Sequence, residues 1–146
     1  EGQLKRCSIN LKKQTVTTSK LSNRCCEFAM VNPIFQGLNS RFAWMAVAES
    51  GPGNGPLQAI QKFDLLNNQT HEWSASPRGF VSEPLMVPKP LTEEEDNGWI
   101  LIMVWNGNRK STDLVILKAN DLSEQAIIEL PLAIPHGLHG SWVQEM

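Results

Sequence analysis

Little in this chain points to a helix bundle, a membrane span or a charged partner. The longest apolar run, residues 99–105, is about one strand long, far short of the ~20 residues a helical span needs. Thirteen basic and fifteen acidic residues leave a net charge of −2. No strong field of either sign follows, which argues against nucleic acid as a partner. Cysteine is sparse and odd in number: Cys7, Cys25 and Cys26. Two of the three are adjacent, which makes neither a disulfide framework nor a zinc pair, so free thiols in a reducing compartment are expected. The opening Glu1-Gly2-Gln3-Leu4-Lys5-Arg6 has no apolar core of the signal-peptide kind. An initiator methionine is also missing, so the chain is expected to be processed or to be a piece of something longer. No low-complexity linker interrupts it, and residues 1–146 read as part of a single domain without an internal boundary.

What is present is strand signal. Hydrophobic residues make up 41% of the chain, which suits a packed core rather than disorder. Residues 99–105 read as a strand buried on both faces. Asn106-Gly107-Asn108 is a turn, residues 113–117 a second strand, Asn120-Asp121-Leu122-Ser123 another turn, and residues 125–130 a third strand. The same meander occurs earlier, in residues 41–47, 59–65 and 70–73, with a Gly/Pro loop at 51–56 and a turn at Asn67-Asn68. Half a copy opens the chain, in residues 4–11 and 15–21. The acidic run Glu93-Glu94-Glu95-Asp96 before Asn97-Gly98 reads as a solvated loop; as a calcium loop it lacks alternating ligand spacing.

These units repeat. Glu27, Glu83 and His139 stand at successive intervals of 56 residues, each after an apolar run, a polar turn and a second short run. A period of that size built from short strands is the mark of a β-propeller, in which equivalent positions of successive blades face the axis. The spacing therefore predicts that two carboxylates and an imidazole approach one place, a composition suited to metal. Four strands per unit follow if the residues around 28–33, 84–88 and 135–143 are inner strands of successive blades. About two whole blades plus fragments result, and closed propellers need roughly four to eight. Exposed strand edges are expected on such a piece.

Four segments carry a family resemblance. Cys26-Glu27-Phe28-Ala29-Met30-Val31-Asn32-Pro33 resembles the E-F-P-x-I-N-P segment of the carotenoid cleavage oxygenases. Ser82-Glu83-Pro84-Leu85-Met86-Val87-Pro88-Lys89-Pro90 is similar to their S-E-P-x-F-V-P-x-P segment. Glu94-Glu95-Asp96-Asn97-Gly98-Trp99 is similar to their E-D-D-G turn. Ile134-Pro135-His136-Gly137-Leu138-His139-Gly140-Ser141-Trp142 resembles their C-terminal P-x-G-F-H-G-x-W motif. Ala29 replaces a proline and Leu138 a phenylalanine, and neither change removes a metal ligand. The bacterial apocarotenoid oxygenases are the nearest in character.

The resemblance implies an all-β chain forming the C-terminal two to three blades of a seven-bladed propeller. It also implies non-haem Fe(II) on the axis, held by four histidines, three of them oriented by glutamates. On this sequence His139 matches one iron ligand, and Glu27 and Glu83 match two orienting carboxylates. The remaining ligands would come from an N-terminal remainder. Glu83 is expected to pair with His139, one repeat away, and Glu27 to orient a histidine outside this chain. Phe28, Leu138 and Trp142 are candidates to line a pocket, and His136 to stand at its edge. The reaction implied is oxidative cleavage of a carotenoid or apocarotenoid double bond by O2, with peripheral membrane contact through the missing part. A cytoplasmic or plastid-like setting goes with this. The alternative is a non-catalytic split or truncated fragment acting as a binding module; a bare kelch- or WD-type scaffold would require no convergence of Glu27, Glu83 and His139.

Overall fold

Antiparallel strands account for all the long elements. The computed structural model describes residues 2–49 and 55–143; the Gly/Pro loop at positions 51–54 lies outside them. In chain order the strands are β1 (Gln3–Asn10), β2 (Thr15–Met30), β3 (Phe42–Ala48), β4 (Leu57–Asp64), β5 (Thr70–Ser74), β6 (Gly79–Val81), β7 (Leu85–Pro88), β8 (Gly98–Asn106), β9 (Ser111–Lys118) and β10 (Glu124–Glu129). The one helical element among the described residues is a single 3-10 turn, Pro33–Phe35, capped by Asn32, whose side chain accepts the Ile34 N–H.

Two meanders form two sheets. The first runs β1-β2-β3-β4-β5, and the second runs β10-β9-β8-β6 with β7 also on β8. Strand β2 serves twice. Its first half pairs with β1 in an exposed hairpin, and its last residues pair with β3 as the inner strand of the next unit. The expected short strand at 15–21 and the inner strand after it are thus one continuous element. In the second unit the inner strand is broken in two: β6 pairs with residues 104–106 of β8 and β7 with residues 98–101. This four-strand organisation, inner strand first, is that of propeller blades.

The repeat is exact at the outer turns. Gln14, Asn68 and Leu122 all adopt left-handed backbone, φ 51°, 59° and 60°, and they stand 54 residues apart in turn. Two of these loops share one hydrogen-bond pattern: Asn68 N–H reaches Asp64 O and Leu122 N–H reaches Lys118 O. Such four-residue loops close antiparallel hairpins. Leucine at 122 is an unusual choice for positive φ, and its side chain is buried in the core between the sheets.

Alternation places that core. Trp44, Ala46 and Ile60 from the first sheet meet Met86, Ile100, Ile102, Val104, Val115 and Leu117 from the second. Trp44 is fully buried, and its indole N–H donates to Ala119 O at 2.9 Å. The other face of the first sheet buries Cys26, Ala43, Met45, Val47, Ala59 and Phe63. Burial pushes the Cys26 thiol pKa up, Cys25 adding to the effect; all three cysteines are free. Strand β8 is buried on one face only. Ile100, Ile102 and Val104 are inside, while Trp99, Leu101, Met103 and Trp105 are half-buried. The continuous apolar run conceals this asymmetry because three of the outer-face residues line a cavity rather than a second core.

Polar ties join the sheets. Lys62 is buried, and its ammonium group binds Asp96 and the Asn120 carbonyl (2.8 Å) while sitting 3.9 Å from the Phe42 ring centre. Glu95 accepts the Arg41 and Phe42 N–H groups at 2.8–2.9 Å. The acidic run is therefore not simply a solvated loop: its last two carboxylates clamp the junction, because β4 and the start of β3 present donors with no strand partner there. Gly98 closes the same turn, and a Cβ on it would fall 2.3 Å from Val87 O.

Arg41 grips Asp64 at 2.7 Å, and this bond, with the Leu66 N–H assisting against burial, lowers the Asp64 pKa from 3.8 to about 2. Because the folded-state pKa is depressed, the stabilisation is complete above the ordinary carboxylate range and is lost as pH falls through about 2. Urea midpoints measured between pH 5 and pH 2 are expected to fall more steeply for the parent protein than for Asp64→Asn. Parallel pH dependences would refute the assignment.

Candidate functional site

Both glutamates of the 56-residue series sit where an inner strand is irregular. In β2 the pairing with β3 shifts register between Glu27 and Met30, and Phe28 in this bulge has φ 57°. In the second unit, Ser82-Glu83-Pro84 occupies the gap between β6 and β7. Pro84 has no N–H for a ladder, and Ser82 bridges the break instead. Its N–H donates to Met103 O at 2.9 Å, and its hydroxyl accepts the Met103 N–H at 3.2 Å. Bulges and breaks of this kind re-aim a side chain out of the ladder.

Glu83 is aimed at His139. Its Oε1 lies 3.2 Å from His139 Nδ1, and its Oε2 accepts the Gly140 N–H at 2.7 Å. An ionised carboxylate only accepts hydrogen bonds, so Nδ1 carries the ring proton and the Nε2 lone pair is left available. No described residue hydrogen-bonds Nε2. The Phe28 ring stands edge-on to the imidazole, with centroids 5.9 Å apart. An aromatic residue held at positive φ is a strained choice, and here it meets the His139 ring. The side chains of Glu83 and His139 are 19% and 69% exposed, so the carboxylate is sheltered while the imidazole faces outward.

The segment carrying His139 is not the expected strand. Residues 135–143 are coil. A strand needs a ladder partner, and no described strand lies beside this segment. It is held at separate points, by β9 at one end and by Glu83 at the other.

Between this coil and the outer face of β8 and β9 lies a cavity of about 300 Å³. Leu101, Met103, Trp105 and Leu114 form its apolar floor, and residues 134–140, with Glu83, form its rim. Leu138 and His136 line it. Phe28 is outside the wall and touches the site through the His139 ring. Trp142 is also outside, 53% exposed, because the coil has passed the cavity by then. Glu27 makes no contact with the Glu83–His139 pair. It is exposed, and its Oε1 packs against Gly2, where an added Cβ would fall 2.4 Å away. No three His, Cys, Asp or Glu side chains converge among the described residues. Of Glu27, Glu83 and His139, the structure brings the last two together and leaves the first apart.

The chain belongs to the retinal pigment epithelial membrane protein family, the carotenoid cleavage oxygenases, whose model matches residues 1–144. It is 41% identical over 145 residues to the apocarotenoid-15,15'-oxygenase of Synechocystis sp., covering 98% of this chain and 30% of that protein. It is 30% identical to a carotenoid cleavage oxygenase of Mycobacterium tuberculosis (95% of this chain, 28% of that one) and 29% identical to resveratrol cleavage oxygenase 1 of Botryotinia fuckeliana (81% and 22%). The cobalt-substituted Synechocystis apocarotenoid oxygenase superposes with a TM-score of 0.95 at 39% identity, over 98% of this chain and 30% of that chain. The chain thus spans less than a third of the length of these relatives.

Proposed function

We propose that the whole protein to which this chain belongs is a non-haem Fe(II) dioxygenase that cleaves a double bond of a carotenoid or apocarotenoid with O2. This chain supplies one ligand, His139 through Nε2. The observation that carries the reading is the Glu83 Oε1–His139 Nδ1 contact of 3.2 Å at the rim of an apolar cavity. A carboxylate on the far nitrogen fixes the tautomer and raises ligand basicity, as in oriented metal-binding histidines. When bound, Fe(II) supplies open coordination positions for dioxygen and substrate. The chain's own residues do the rest. Glu83 holds both the imidazole and the Gly140 backbone, Phe28 limits the tilt of the ring, and Leu101, Met103 and Leu114 offer a surface that excludes water from a polyene. Glu27 orients a histidine contributed from outside this chain. Residues beyond this chain complete the ligand set, and a long apolar substrate implies contact with a membrane surface through them.

The test is product analysis on the full-length protein. Reconstituted with Fe(II) and given an apocarotenal in detergent under air, it is expected to yield two carbonyl fragments, and removal of iron by a chelator should stop the reaction. A stilbene belongs in the same assay, since one relative is named for resveratrol. Intact substrate in every reaction would overturn the reading.

A further inference from the structure

We infer that Thr112, on β9, is a positioning residue for His139; the inference rests on the reading of His139 as a metal ligand. The coil that carries His139 has no ladder of its own, so something else must set its path. Two anchors do so. One is Glu83, at residues 139 and 140. The other is Thr112, which meets the same coil five to nine residues earlier. Its hydroxyl accepts the Ile134 N–H at 2.8 Å and donates to Ile134 O at 3.4 Å. Its backbone N–H donates to Leu132 O at 3.1 Å, and its carbonyl accepts the Leu130 N–H at 3.0 Å.

One residue thus satisfies four polar groups of the segment as it leaves β10 and turns over the cavity. Thr112 is 2% exposed, so water cannot take over the role of its hydroxyl. Immediately beyond lies Pro135, which has no N–H of its own for a further tie. Residues 135–138 then bridge without a hydrogen bond to the sheet. The position of the imidazole is therefore set by the separation of the two anchors. Removing the hydroxyl leaves the backbone ties at Leu130 and Leu132 but frees the coil from residue 134 to Glu83, with a looser Nε2.

The experiment uses the full-length protein with Co(II) as the probe, read by its visible d–d absorption and by chelator competition. Thr112→Val keeps the shape and removes the hydroxyl; Thr112→Ser keeps the hydroxyl. Ile134→Pro removes the matching N–H from the half-exposed side of the coil, which keeps the test available if the valine variant does not fold. Thr112→Val and Ile134→Pro are expected to weaken Co(II) binding by about tenfold, the scale of one lost buried hydrogen bond, and to shift the d–d bands. Thr112→Ser is expected to restore both. Parent-like affinity and spectrum in Ile134→Pro or Thr112→Val, or a serine variant as impaired as the valine, would overturn the inference. His139→Ala separates the two levels. If it leaves Co(II) binding and spectrum unchanged, the ligand reading itself fails; if it alone disturbs them, only the role of Thr112 fails.

Discussion

Glu83→Ala in the full-length protein is expected to lower metal affinity and turnover by about 10- to 100-fold, the range found when a carboxylate orienting a metal-bound histidine is lost. The structure adds a sharper expectation for the glutamine variant. Glu83 uses its two oxygens on two different donors, His139 Nδ1–H and Gly140 N–H. A glutamine has one carbonyl oxygen and one NH2 group. Whichever way its amide is turned, one of those donors faces another donor. Glu83→Gln should therefore fall between the parent and Glu83→Ala rather than match the parent, and Glu83→Asp should lose contact through its shorter reach. Metal titration across the three variants checks the order. A glutamine variant with parent affinity would show that one of these two contacts contributes nothing.

Trp44→Ala is expected to be the most destabilising single change in the core, by about 3–5 kcal/mol. The indole is fully buried between the two sheets, so its removal leaves a cavity that both blades line. It also orphans the Ala119 carbonyl, whose donor is the indole N–H. Trp44→Phe separates the two contributions, retaining much of the volume while leaving that carbonyl unpaired. Chemical denaturation of the full-length protein supplies the measurement. A loss below about 1 kcal/mol for the alanine variant would mean that the blades are held by something other than this contact.

Periodicity made the architecture readable. Strands announced by β-branched and aromatic runs, and turns announced by Asn, Asp and Gly, fall where expected because each needs only local chemistry and burial on one face. Of the three positions in the 56-residue series, Glu83 meets His139, whereas Glu27, at a register shift of β2, lies against Gly2 instead. The features with no local signal depend on distant partners. The three residues of β6 are too few to show a pattern, and they are a strand only because β8 offers an edge. Residues 135–143 look like the earlier inner strands, yet they are coil because no described strand lies alongside. Glu95 and Asp96 look like solvent-facing charge, and their role is set by Arg41 and Lys62, more than thirty residues away. Thr112 carries no motif at all; a single threonine on an alternating strand shows its purpose only once Ile134 is seen above it.

The gap between β6 and β7 has an evolutionary consequence. Ser82 alone carries the ties to β8 across this break, and Glu83 and Pro84 contribute no rungs to the strand ladder, so the sheet's stability is nearly indifferent to which side chain stands at position 83. Selection can therefore retune the residue facing the imidazole without having to repair the blade around it. A scaffold that keeps its chemical positions off its structural ladder can exchange one reactivity for another in few mutational steps, each of which still folds.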